Sequence, residues 1–212
     1  MLVQPEHQIT DAAQLAALYG QPGEASVRKE VTYLHPAYRP LVEAAPFAAL
    51  ATAGPEGLDV SPRGDPAGFI HIEDEHTLLL PDRRGNNRVD SLRNLIADPR
   101  CALLFLVPGM NETLRINGRG TISIDPALCQ RFAIDGKPAR SVLVIRIDAV
   151  YFQCARALLR SQLWQPATWR ERSSLPSTGA LLQALTQDQA QPPIDGAAYD
   201  RDLPTRQAAT LY

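Results

Sequence analysis

The chain has 212 residues, of which 45% are hydrophobic, a size and composition that suit one domain with a full core and are short for two. Its 21 basic and 23 acidic side chains leave a net charge of −2, so no nucleic-acid partner is expected. No apolar run approaches the roughly 20 residues of a membrane span. The N-terminus lacks a signal-peptide pattern, so we expect a cytoplasmic protein without membrane contact.

Three cysteines are too few and too scattered for a metal or disulfide framework. Cys101 lies in an apolar strand-like run and Cys129 in a short helical stretch, which predicts buried free thiols in a reducing compartment. The sequence has no HxxxH, HExxH or CxxC motif and its histidines are scattered, so no metal is expected.

The first 45 residues are predicted to form a helical extension. Apolar residues recur at helical spacing in 11–19 and 24–34, and 36–45 carries prolines in its first turn, where a missing N–H does little harm. Gly20 is a suitable stop for the first helix. We expect this extension to cover one end or edge of the domain that follows.

The middle of the chain is rich in predicted strands. Seven segments have strand patterns: 47–53, 58–62, 68–73, 77–81, 101–107, 113–124 and 141–152. A short helix around 126–133 separates the last two. Gly118 and Gly120 fall on the apolar face of 113–124, which suggests tight curvature. Many short strands with little helix between them predict a closed antiparallel barrel in a mainly β fold with flanking helices (α+β).

The most informative segment follows the fourth strand. A polar loop leads into an amphipathic helix with Leu92 and Leu95 on its apolar face. Asn87 is a good N-cap for that helix, and Asp90 three residues later completes a variant of the capping box. Because a helix N-terminus offers free N–H groups and a positive dipole end, an anion is favoured there.

Arginines lie in the loop before this helix and also in a predicted strand about twenty residues upstream. Arg83, Arg84 and Arg88 suit bidentate phosphate contacts, although an ordinary strand–turn–helix with solvated arginines fits this segment alone equally well. Ser61 and Arg63 form another hydroxyl–arginine pair. Only a short hairpin separates the two segments, so we expect them to lie on neighbouring strands and to converge on a phosphate dianion.

In order, the segments PFAALATAGPEG, LDVSPRGDPAGF, TLLLPDRRGNNRVDSLRNL, PRCALLFLVPG and ETLRINGRGTIS resemble the FMN-binding split-barrel family typified by pyridoxamine 5′-phosphate oxidase. The resemblance runs from about 46 to 164, and the motifs suit a bacterial subgroup of unassigned substrate. It implies a split barrel over 46–164, flanked by the extension 1–45 and a helical or irregular tail 165–212, as a single domain overall.

The resemblance also implies roles for individual residues. Ser61 and Arg63 fall where the family lines the flavin phosphate and ribityl chain, and Leu80 and Pro81 match the strand end beside the flavin ring. Asn86, Asn87 and Arg88 align with a serine–arginine–lysine step that grips phosphate, and because two of these are asparagines here, the charge moves to Arg88, Arg83 or Arg84. The implied cofactor-binding set is Ser61, Arg63, Leu80, Pro81, Asp82, Arg83, Arg84, Asn86, Asn87, Arg88, Thr113 and Trp164.

Of the remaining positions, Thr113 departs from the family pattern and Trp164 follows it. Thr113 falls where a glutamine commonly approaches the flavin, which weakens ring contact there. Trp164 lies where a late aromatic could reach the flavin of a partner subunit. A helix predicted after Cys154 places Arg156, Arg160 and Trp164 on one face, which we assign to the substrate side, a solvated helix face being the alternative.

The sequence contains neither a nucleophile–base spacing nor a GxSxG elbow, which suits an enzyme whose chemistry comes from a cofactor. We expect a homodimeric FMN-dependent oxidoreductase with flavin at the interface, acting on a small molecule and with NAD(P)H as a candidate partner. No counterpart to the family's substrate histidine–arginine set is found, so pyridoxamine phosphate oxidase activity is not expected. The alternatives are a non-catalytic flavin, deazaflavin (F420) or haem carrier, and a barrel that has lost its cofactor.

Overall fold

The computed structural model describes residues 4–212, so the first three residues of the predicted N-terminal extension lie outside the described part of the chain. Its first helices are α1 (Ala12–Tyr19), α2 (Glu24–Arg28) and α3 (Arg39–Ala44). The Asp11 side chain accepts a hydrogen bond from the Gln14 N–H at 2.8 Å and caps α1. Gly20, with φ 71°, ends α1 as predicted.

The predicted helix over 24–34 ends early, at Arg28. Val31 instead pairs with Val150: the Val31 N–H donates to the Val150 carbonyl at 3.1 Å, and the Val31 carbonyl accepts from the Val150 N–H at 2.8 Å. Leu34 is then buried in the core. The expectation that the extension covers the barrel holds for α3, where Val42 is fully buried, whereas every residue of α1 is exposed.

Seven strands form one antiparallel sheet, as predicted. They are β1 (Phe47–Gly54), β2 (Gly57–Gly64), β3 (His71–Asp74), β4 (Thr77–Asp82), β5 (Arg100–Leu106), β6 (Thr113–Ser123) and β7 (Ser141–Gln153). Their order in the sheet is β2-β1-β5-β6-β7-β4-β3. Between β4 and β5 lies α4 (Asp90–Ala97), and between β6 and β7 lies α5 (Pro126–Arg131).

The sheet curls around the larger of two apolar clusters among the described residues. Phe105, Leu50, Leu78 and Ile116 are almost fully buried there. The register of β6 against β7 shifts between Asn117 and Gly118, which is a bulge that bends the pair. A methyl group on Gly118 would overlap the Arg146 carbonyl, so the glycine permits the close approach that the curl requires. The predicted mainly β fold with flanking helices, a split barrel, is therefore confirmed.

The chain ends in helices that the barrel does not enclose. α6 (Arg156–Ser161) is followed by α7 (Thr178–Thr186) and α8 (Gly196–Ala209). The sequence analysis expected a helical or irregular tail and did not place α8, because Pro204 lies inside it and its apolar residues have little helical periodicity. Asp200 joins the two helices by accepting hydrogen bonds from the Ser177 hydroxyl and, at 2.7 Å, from the Gly179 N–H.

Cys101 and Cys129 are buried free thiols, as predicted, and Cys154 is exposed. Burial raises the pKa of Cys101 to about 11. Across residues 4–212, none of the helices is both long and apolar enough to cross a membrane.

Candidate functional site

A cavity of about 470 Å³ opens where the two ends of the curled sheet meet. Its walls are β2, the loop after β4, the first turn of α4 and the start of β7. The lining residues are Asp59, Val60, Ser61, Pro62, Arg63, Asp82, Arg83, Gly85, Asn86, Asn87, Arg88, Val89, Asp90, Ser91, Leu92, Arg140 and Ser141. Three of the four arginines assigned to phosphate from the sequence, Arg63, Arg83 and Arg88, are thereby brought to one place.

Arg63 is the central cation of this cavity. Its Nη1 donates to Asp82 Oδ1 at 3.1 Å and its Nη2 to the Ser91 hydroxyl at 2.7 Å. Its Nε is buried and has no hydrogen-bond partner among the described residues. Since a buried N–H of a guanidinium is costly to leave unpaired, this donor suits an anionic ligand oxygen.

Strand β2 presents a polar face to the cavity. Asp59, Ser61 and Arg63 alternate along it and are half-buried, while Leu58 and Val60 point outward, 87% and 68% exposed. One carboxylate oxygen of Asp59, Oδ2, is buried without a partner among residues 4–212. The sequence analysis missed Asp59, although its two-residue spacing from Ser61 was a visible signal.

The prediction that β2 and β4 are neighbouring strands is wrong. β2 lies at one end of the sheet order and β4 next to the other end. Their convergence, which was correctly predicted, comes instead from the curl of the sheet, and the Arg63–Asp82 ion pair spans the gap. The side chains of this pair are only 21% and 16% exposed.

The loop arginines have different surroundings. Arg83 donates from Nε to Asp65 Oδ2 at 3.3 Å and from Nη1 to the Phe132 carbonyl at 2.6 Å, so it anchors the loop to the barrel. Arg88, whose side chain is 77% exposed, pairs with Asp90 at 2.8 Å at the cavity mouth. Arg84 is exposed and is not part of the cavity lining.

The predicted capping box at Asn87 is wrong. α4 begins at Asp90, and its N-cap is Val89, which makes no side-chain cap hydrogen bond and has φ 51°. Asn87 also has positive φ, 60°, and its Oδ1 accepts from Arg140 Nη1 at 2.8 Å. The first N–H groups of α4 therefore keep no side-chain cap and lie beside the cavity.

Comparison with known proteins identifies the family to which this chain belongs. The model of the family described as pyridoxamine 5′-phosphate oxidase matches residues 34–154, more than half of the chain. The chain belongs to the pyridoxamine 5′-phosphate oxidase family. This placement confirms the resemblance drawn from the sequence and suggests a flavin-binding, oxidoreductase-like function. No curated protein matches the chain.

Several solved structures have a similar chain path at low sequence identity. HupZ from Group A Streptococcus is 16% identical, with a TM-score of 0.42 over 51% of this chain and 85% of that one. An FMN-binding protein from Syntrophomonas wolfei is 14% identical, with a TM-score of 0.41 over 55% and 88%. A protein described as an F420 reductase is 20% identical, with a TM-score of 0.41 over 56% and 98%.

The cavity of this family member fits a flavin phosphate. Arg63 has an N–H without a partner among the described residues, and Arg88 lies at the mouth. Ser61 supplies a hydroxyl from β2, and Ser91 supplies one from the first turn of α4. The sequence analysis missed Ser91 and Arg140. Ser91 is 2% exposed and could have been suspected from its place in the first turn of α4, whereas Arg140 reaches the site only through the pairing of β4 with β7.

The remaining predicted site residues lie outside this cavity lining. Leu80 and Pro81 are buried in β4, opposite Leu143 and Val142 of β7. Thr113 is 6% exposed at the start of β6. Their contacts with a flavin ring remain predictions.

The predicted helical stripe of Arg156, Arg160 and Trp164 is wrong as a helix face. α6 ends at Ser161, and Gln162 adopts φ 52°. Trp164 lies beyond the helix, where its Nε1 donates to the Met110 carbonyl at 2.7 Å. Neither arginine lines the cavity, so a substrate-side role for them remains a prediction.

Proposed function

We propose that this protein is an FMN-dependent oxidoreductase acting on a small anionic or planar molecule. The observation that supports it best is the buried, unpartnered Nε of Arg63 in a cavity that also presents two hydroxyls and a helix start. When bound, FMN would supply hydride transfer at its N5 atom. We assign FMN rather than a dinucleotide for two reasons. The arginines suit the dianion of a terminal phosphate, and the sequence has no GxGxxG fingerprint for a dinucleotide.

The chain's own residues would bind and orient that cofactor. Arg63 and Arg88 would hold the phosphate, with Arg63 kept in place by Asp82 and Ser91. Asp59 Oδ2 would accept a hydrogen bond from a hydroxyl of the ligand, because a buried carboxylate oxygen needs a donor. Arg83 would act indirectly, by fixing the loop through Asp65 and the Phe132 carbonyl.

We also propose that the protein works as a two-fold homodimer with the flavin at the subunit interface. Leu58 and Val60 form an exposed apolar stripe on one face of β2. β2 is an edge strand, and its other face lines the cavity. A partner seated on that stripe would bury it and enclose the adjoining ligand. A two-fold axis would then create two equivalent sites, and Trp164 or the Arg156–Arg160 pair could meet the partner's flavin.

The test is purification from cells followed by analysis of any bound cofactor. We expect yellow protein that releases FMN on denaturation, as identified by mass spectrometry, and is bleached by NADH or NADPH. FAD or a pterin in the released ligand would overturn the assignment of FMN. Bound FMN without reduction or turnover would favour a non-catalytic flavin carrier. Bound haem or deazaflavin would identify the protein as a carrier of that group instead.

Light scattering on the same preparation tests the assembly. A monomer that keeps FMN tightly bound would contradict the interface model. A dimer that the Leu58→Glu variant converts to monomer, with loss of FMN, would support it, since Leu58 does not line the cavity.

A further inference from the structure

The C-terminal helix α8 forms a second wall against the loop after β4. Between them lies a groove of about 860 Å³. Its lining residues are Arg84, Gly85, Asn86, Tyr199, Leu203, Arg206, Gln207, Ala208, Thr210 and Leu211. Since Gly85 and Asn86 also line the arginine cavity, the groove and the candidate flavin site adjoin the same loop. Its volume lies in the range of small-molecule sites.

A smaller cavity of about 220 Å³ adjoins the groove at Arg84. Tyr212 closes one side of it: the phenol donates to Asp65 Oδ1 at 2.6 Å, and Lys137 Nζ donates to the Tyr212 carbonyl at 3.4 Å. Asp65 also holds Arg83, so Tyr212 is tied to the loop that carries the arginines. The C-terminal segment thus surrounds Arg84 on two sides.

The charge around Arg84 is strongly one-sided. The two spaces are lined by five basic side chains, Arg83, Arg84, Lys137, Arg140 and Arg206, and by one carboxylate, Asp82, which is already paired with Arg63. Arg83 pairs with Asp65, and Lys137 contacts the Tyr212 main-chain oxygen. The other three, Arg84, Arg140 and Arg206, have no carboxylate partner among residues 4–212 and favour an anionic ligand.

The groove also offers apolar surface next to that charge. Leu203 and Tyr199 are half-buried along α8, and Leu211 is 66% exposed. The Arg206 guanidinium lies 4.3 Å from the centre of the Tyr199 ring, which gives this wall a flat, cationic face. A ligand with an aromatic or apolar body and one anionic group would match both features.

We propose that the groove between α8 and the loop after β4 binds an aromatic organic anion whose carboxylate or phosphate is held by Arg84. The proposal rests on the flavin function given above and adds a second ligand site beside the loop that holds the flavin phosphate. It also gives each of the three loop arginines a different role. Arg83 anchors the loop to the barrel, Arg88 faces the cofactor cavity and Arg84 faces the groove.

The test is calorimetric titration of the full FMN-loaded chain with aromatic anions and a neutral counterpart. The probes are 2-naphthoate, phenyl phosphate and 2-naphthalenemethanol. At least one anion should bind the wild type more tightly than the alcohol. Arg84→Gln should weaken that anion about tenfold or more through loss of a charge-assisted hydrogen bond and leave alcohol binding within about twofold.

Arg170→Gln is the matched control, since Arg170 is exposed and has no ion pair or hydrogen bond among the described residues. Leu203→Asp should weaken the anion as well, by placing a carboxylate in the groove. The proposal is overturned if no anion binds, if the alcohol binds as tightly as the anions, or if Arg84→Gln and Arg170→Gln behave alike.

FMN content measured on each sample separates this proposal from the one on which it rests. Arg84-dependent anion binding by protein that takes up no flavin would keep the groove and remove the oxidoreductase function. Normal FMN content together with anion binding that does not depend on Arg84 would keep the flavin site and overturn the groove proposal.

Discussion

Arg63 and Asp82 join two strands that lie near opposite ends of the sheet order, with Nη1 and Oδ1 3.1 Å apart. No strand pairing connects β2 to β4 in the described part of the chain, so this ion pair and the neighbouring Ser91 contact link the ends of the curled sheet at the cofactor cavity. The Arg83–Asp65 ion pair makes a second link between the same two ends. Closure of the barrel and construction of the ligand site therefore share the Arg63 guanidinium.

Arg63→Ala should weaken FMN binding by about 1.5–3 kcal/mol, because a charge-assisted hydrogen bond to the phosphate is lost. Flavin fluorescence titration of apoprotein measures the change. Asp82→Asn is the matched control, since it disturbs the same ion pair but keeps the guanidinium, and it should bind FMN at least as tightly as the wild type. Unchanged FMN affinity in Arg63→Ala would mean that the phosphate binds elsewhere.

Asp82→Asn should lower the free energy of unfolding of the apoprotein by about 1–3 kcal/mol, because Arg63 loses its carboxylate partner at a site that is mostly buried. Bound FMN should reduce this loss by supplying a phosphate to Arg63. Urea unfolding with and without FMN measures both effects. Asp188→Asn, at an exposed position with no ion pair among residues 4–212, is the control, and an equal loss in the two variants would contradict a closing role for Asp82.

Val89 occupies a left-handed conformation, φ 51°, at the start of α4, which is unfavourable for a β-branched residue. Val89→Gly should therefore be more stable than Val89→Ala by about 1–2 kcal/mol, the cost of placing an L-residue in that region. Chemical unfolding of both variants measures the difference. An Ala variant as stable as the Gly variant would show that the backbone relaxes at this position.

Asp200 gives the α7–α8 pair a pH dependence. The Ser177 hydroxyl, followed by the Gly179 N–H, lowers the pKa of Asp200 below its usual value of 3.8. A carboxylate with a lowered pKa stabilises the fold above its unfolded-state pKa, and that stabilisation is lost as the pH falls through the folded-state value. The wild type should therefore exceed Asp200→Asn in stability at pH 5–7, and the difference should shrink below about pH 4.

Thermal unfolding of wild type and variant across that pH range measures the difference, with Asp188→Asn as the control for general charge effects. A stability difference that stays constant from about pH 7 to about pH 3 would contradict an ionised Asp200 in the helix pair.

The sequence by itself determined the seven strands, α4 and seven of the seventeen residues that line the cofactor cavity. Alternation with a period of two and helical spacing are local signals, so LDVSPRG and TLLLPD could be assigned to strands without knowledge of their partners. The family motifs lie in the same local segments, which is why Ser61, Arg63 and Arg88 could be singled out.

Only the tertiary structure decided which groups meet across the sheet. Arg63 reaches Asp82 through the curl of the sheet, and Arg140 reaches Asn87 through the pairing of β4 with β7. α8 was missed because Pro204 obscures its pattern, and its groove depends on contacts between residues far apart in the chain. Local patterns do not distinguish Arg83, Arg84 and Arg88, because all three lie in one polar loop. Their different surroundings come from long-range packing, which the sequence pattern does not encode locally.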